Sequence, residues 1–142
     1  MGRRPREPRR AQSVVVLCHH NVGSLPDAPG GTYRHFQLQD AENVRETLTG
    51  RDAPPVVTGH HHVPAVVPHG VTNEVLAPAV CSYPQAMLTI DIGRDGTTVR
   101  VVPLADRTEV ATARHASVTG KPLASGIAEL VDRRVDATPY RD

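Results

Sequence analysis

The sequence predicts a mixed α/β (α+β) chain, and three observations carry that expectation. Two short apolar runs rich in β-branched residues, 13–18 and 55–58, bracket a stretch with helical spacing. Strand, helix, strand is the grammar of a βαβ unit in a parallel or mixed sheet. After residue 62 the texture changes to short alternating runs divided by turn residues, which is the pattern of antiparallel strands.

The elements follow in chain order. Residues 1–10 hold five arginines (Arg3, Arg4, Arg6, Arg9, Arg10) against Glu7, with Pro5 and Pro8 among them. They carry a formal charge of +4 and leave −3 for the other 132 residues. Alternating Pro and Arg cannot build a packed element, so residues 1–12 read as a solvated, disordered tail without a specific partner. Residues 13–105 read as the body. The run 13–18 is continuously apolar and is expected as a strand buried on both faces. Residues 21–32 are loop, marked by Pro26, Pro29, Gly30 and Gly31. From 36 to 48 the apolar residues Ala41, Val44 and Leu48 are spaced for a helix that stops at Gly50.

Strands are then expected at 55–58, 63–67, 73–77 and 85–92. In the last of these Leu88, Ile90 and Ile92 share one face, and a turn at Arg94-Asp95-Gly96 returns the chain with Val99 and Val101 in register. Residues 106–142 read as a carboxyl-terminal extension with a helix, 121–135, capped by Thr119.

Composition excludes several function classes. A chain of 142 residues suits one domain. Sixteen Lys+Arg against 15 Asp+Glu give a net charge of +1, unlike a dedicated nucleic-acid binder. Phe36, Tyr33, Tyr83 and Tyr140 are the only aromatics, so the core must be aliphatic. There is no apolar run near ~20 residues, hence no expected membrane span. The tail lacks the apolar segment of a secretory signal. Two cysteines make no disulfide framework, which points to a reducing, cytoplasmic setting.

The chemistry concentrates in the histidines. Gly59-His60-His61-His62 follows one apolar strand, and His19-His20 follows the other. Neighbouring parallel strands end on one edge of a sheet, so both clusters should meet in the crevice where open α/β sheets hold ligands. Neutral imidazoles suit Zn, Fe, Mn or Ni. His35 and His115 read as solvated, and His20, His61 and His69 as pointing away from any metal and available to contact substrate. A run of three histidines is also what a fortuitous metal-binding tract looks like.

Competing chemistries are weaker. Cys18 and Cys81 read as packing residues, with no CxxC spacing for structural zinc. No glycine pattern forms a phosphate loop, and Ser24 and Ser82 lack a nucleophile-elbow context.

The strand ending in His19-His20, a helix, and Val56-Val57-Thr58-Gly59-His60-His61-His62 together resemble the carboxyl-terminal half of the calcineurin-like metallophosphoesterases. Residues 79–96 resemble the strands that follow GHxH in the cyclic-nucleotide-phosphodiesterase-like members, so the likeness spans about 13–104. It implies half of a β-sandwich of two mixed sheets flanked by helices. It also implies His19 and His60 on the second metal, His62 on the first, and a phosphate mono- or diester as substrate. The complete family site holds two divalent ions (Mn, Fe or Zn). Its DxH, GDxxD and GNH blocks do not occur in this sequence, so at most one ion is expected here. The partners implied are a phosphate ester and either a complementing amino-terminal half or a second copy of the chain. On this reading the chain is a truncated piece of a hydrolase; the alternative is a non-catalytic metal-binding or protein-interaction module.

Overall fold

A computed structural model describes residues 14–23, 25, 37–49, 54–93, 96–120 and 127–132. The expected tail at 1–12, Gly50, the Arg94-Asp95 turn and most of the 121–135 helix lie outside these residues.

Strand β1 (Val16–Cys18) leads through helix α1 (Ala41–Thr49) to β2 (Val56–Thr58). β3 (Ala65–His69), β4 (Thr72–Leu76), β5 (Ala86–Gly93), β6 (Gly96–Pro103) and α2 (Arg107–Val118) follow. The first four strands form one sheet in the order β1-β2-β4-β3, and β5 and β6 form a separate hairpin. β1 and β4 both run parallel to β2, while β3 is antiparallel to β4. The class is mixed α/β, as the sequence predicts. Leu88 faces Val101 and Ile90 faces Val99 across the hairpin, the expected register. The β3–β4 turn places Gly70 at φ 66°, a conformation that favours glycine. Pro68 is tolerated because β3 lies at the sheet edge.

The two faces of the sheet differ. On one, Val56 packs with Val22 and Leu48, flanked by Val16 and Val44, so α1 covers β1 and β2. On the same face Val67 and Leu76 pack with Val110 of α2 and with Ala128, Leu130 and Val131 of the helical segment 127–132. The other face carries the register row Leu17–Val57–Val75–Val66, with the pair Pro68–Asn73 beside it. There the hairpin borders β3 and β4 across an open cleft of about 390 Å³, lined by Pro55, Val66, Asn73, Val75, Thr97 and Val99. The β1 end of the row is uncovered, and Leu17 is 78% exposed.

Three expectations are corrected. The first strand is not buried on both faces: β1 is an edge strand whose outer face no described element covers. The extension holds a further helix, α2, started by a capping box. Asp106 accepts from the backbone N–H of Thr108 and Glu109, and Glu109 accepts from that of Asp106. Thr119 is then the C-cap of α2 rather than the start of the next helix. The 127–132 segment is held to α2 by Asp132, which receives the Arg114 guanidinium at 2.5 Å and the Tyr83 hydroxyl at 2.7 Å. The Arg114 hydrogen bonds hold the Asp132 carboxyl below its ordinary value. Cys81 is exposed and Cys18 only partly buried, so Cys81 is not the packing residue expected.

The asymmetry of the faces is measurable by urea unfolding. Leu76→Ala should cost roughly 2–5 kcal/mol, because it opens a cavity in the helix-covered core. Leu17→Ala should cost less than about 0.5 kcal/mol, as an exposed position does. Comparable losses at the two sites would contradict the assignment of faces.

Candidate functional site

Parallel pairing of β1 with β2 brings Cys18 beside Thr58, so both strands end at one level. The ladder continues one step, with the Gly59 N–H donating to the His19 carbonyl at 3.2 Å. His19-His20 and His60 therefore emerge side by side. His19 Nε2 stands 3.1 Å from His60 Nδ1, one donating and the other accepting. The His20 ring lies 4.7 Å from that of His60 and 5.1 Å from that of His19, between centroids. The meeting of the two clusters at one sheet edge is what the sequence predicts.

The members of the triplet separate. His60 and His62 both have positive φ, 65° and 59°, a left-handed conformation uncommon for a side chain with a Cβ. Only Gln85 shares it among the described non-glycine residues. Such strain concentrates where surrounding structure holds a segment in place, and here it falls on two of the three expected ligands. His62 is exposed, while His61, expected at the substrate, is 2% exposed. Burial first, then the charge of His60, lowers the His61 pKa to about 4. Burial first, then the charges of His20, His19 and His62, also lowers that of His60. Both effects favour the neutral ring, the form that binds metal.

Beneath the histidines lies a feature that sequence reasoning missed. Glu74, in the middle of β4, is 1% exposed. Its Oε1 accepts from Thr58 Oγ1 at 2.7 Å, Asn21 Nδ2 at 3.0 Å and the Val22 N–H at 3.1 Å. Asn21 Nδ2 also donates to Thr58 Oγ1 at 2.8 Å. The other oxygen, Oε2, takes His69 Nε2 at 2.8 Å. His69, expected to point away from any metal, is engaged by this carboxylate. Its ring packs so closely on Gly23 that a Cβ there would come within 1.8 Å of it. Arg45 of α1 donates to the Val22 carbonyl from the other side. A signal was present in the sequence: alternation puts Glu74 on the same face as Leu76, an acid where an apolar residue is expected.

Among the described residues no three His, Cys, Asp or Glu side chains converge as a preformed metal site. The His19–His60 pair matches a shared ion in separation but not in direction: their hydrogen bond aims the N–H of one ring at the lone pair of the other, so an ion would have to displace that proton and turn the rings. Two imidazole nitrogens that each bind one ion at about 2.0–2.1 Å, at roughly a right angle, stand close to the observed 3.1 Å apart. Among the described residues, those lining the large cleft between sheet and hairpin include no His, Cys, Asp or Glu.

The buried His61 fixes an expected pH dependence. Its ring stays neutral in the folded chain down to about pH 4, whereas in the unfolded chain it titrates near 6.5. The unfolded state therefore binds more protons between these values, so stability should fall as pH drops through this window and be level above it. In chelator-treated protein, the melting temperature should follow that course, and His61→Leu should flatten it; an unchanged slope in the variant would count against the buried ring. No family model matches the chain, and no curated protein does.

Proposed function

We propose that the chain is a metal-binding component of a calcineurin-like phosphoesterase site, acting on phosphate mono- or diesters. The observation that supports this best is the 3.1 Å approach of His19 Nε2 and His60 Nδ1 at the ends of two parallel strands. His19 and His60 would hold a divalent ion, Mn, Fe or Zn. His62 lies two residues on, exposed, for a second ion or a shared partner. His20, against the His60 ring, is placed to contact a phosphate oxygen. His61 supports the loop from within rather than reaching substrate, given its burial. When bound, such an ion polarises a phosphoryl oxygen and lowers the pKa of water. The chain's own part is to present neutral imidazoles, which the lowered pKa of His60 favours.

The carboxylates of the family's other three blocks do not occur in this sequence, so turnover needs them from a complementing segment. The uncovered Leu17 and its edge strand give such a segment, or a second copy, a place to add. Two free cysteines accord with a reducing, cytoplasmic setting. Among the described residues no helix is long and apolar enough to cross a membrane. A non-catalytic metal-binding module would use the same histidine pair and differs only in lacking turnover.

Calorimetric titration with Mn²⁺ and Zn²⁺ tests the binding. One ion per chain should bind, and His19→Ala or His60→Ala should each weaken it at least about tenfold. Hydrolysis of bis(p-nitrophenyl) phosphate that disappears in His60→Ala would assign catalysis to this chain alone. Metal binding without hydrolysis would favour the incomplete site or the module. Absence of any bound metal would contradict the proposal.

A further inference from the structure

We infer that Glu74 is the positioning residue of the histidine site, a buried carboxylate that clamps the two histidine-bearing segments in register. Its Oε1 collects donors from both. Asn21 and Val22 immediately follow His19-His20, and Thr58 immediately precedes Gly59-His60. One oxygen atom thus fixes the height of the first loop relative to the second, and with it the two segments whose rings approach to 3.1 Å. The hydrogen bond from Asn21 Nδ2 to Thr58 Oγ1 closes the set between the segments themselves.

Three donors on one oxygen demand a strong acceptor, and a carboxylate supplies one. The second oxygen is held by His69, so the carboxyl group cannot turn to release either loop. A serine or leucine at this position would satisfy β4 geometry equally well but would leave buried donors unmet. The arrangement is that of an outer group orienting ligands it does not touch through the segments that carry them.

The test uses the full chain with ¹⁵N-labelled histidine, and Zn²⁺ as the probe. Thr58→Val keeps the side-chain shape and removes the tie to β2. Glu74→Gln keeps one carbonyl acceptor for the three donors and offers its amide to His69, whose tautomer can exchange. The expected result for Thr58→Val is a folded chain by circular dichroism in which the paired ¹⁵N signals of His19 Nε2 and His60 Nδ1 revert to those of exposed imidazoles. Its zinc affinity should fall roughly 10–100-fold. Glu74→Gln should restore the paired signals and hold affinity within about threefold of the parent. Glu74→Leu should behave like Thr58→Val wherever it folds. Parent-like signals and affinity in both Thr58→Val and Glu74→Leu would overturn the inference, as would loss of the paired signals in Glu74→Gln equal to that in Thr58→Val. The affinity arm rests on the metal-binding reading, whereas the ring signals do not. A parent chain that binds no zinc would defeat that reading and leave the clamp to be judged by the ring nitrogens alone.

Discussion

A carboxylate buried in the middle of a sheet is the constraint on which the rest of this structure depends. Glu74 is removed from water on a strand whose neighbours are Val75 and Leu76. Left unpaired, such a group would cost on the order of 3–5 kcal/mol. The fold offsets that cost by directing four hydrogen bonds at it, from Asn21, Val22, Thr58 and His69. Those donors are scattered over the chain, and gathering them requires the parallel alignment of β1, β2 and β4. The polar cluster therefore specifies register as much as the aliphatic core does, since a slip of one residue would turn Glu74 to the open face and abandon every donor.

From that alignment the site follows. With β1, β2 and β4 locked, the loops after β1 and β2 leave the sheet side by side, and the histidines meet there. Strain at His60 and His62 is borne by a segment whose flanks are fixed, by Thr58 on one side and by the buried Val63 on the other. Burial of His61 anchors the loop inward while leaving its neighbours outward. The two lowered histidine pKa values share this origin, with rings desolvated and crowded by others of like charge.

Much of this was legible in the sequence, for identifiable reasons. The two apolar runs, the helix between them and the hairpin 85–102 were visible because hydrophobic periodicity reports local structure directly. The convergence of His19 and His60 followed from topology alone, because parallel neighbours share an edge. Most of what stayed hidden depends on partners distant in sequence. The run 13–18 looks two-sided, yet exposure of Leu17 is decided by what the hairpin fails to cover. Thr119 looks like a helix start, but the capping box at Asp106 and Glu109 begins a helix before it, and the Thr119 N–H donating back to the His115 carbonyl ends that helix there. That signal was local and readable. The role of Glu74 was not, because its donors lie as far as 53 residues away and no spacing rule connects them.

The central claim is that the edge formed by β1 and β2 is a nitrogen-ligand metal site. X-ray absorption on the zinc-loaded chain tests it most directly. The account predicts nitrogen scatterers near about 2.0–2.1 Å, with the outer-shell pattern of at least two imidazole rings, lost together in His60→Ala. Sulfur scatterers near about 2.3 Å, or a shell of light atoms without imidazole scattering, would contradict it.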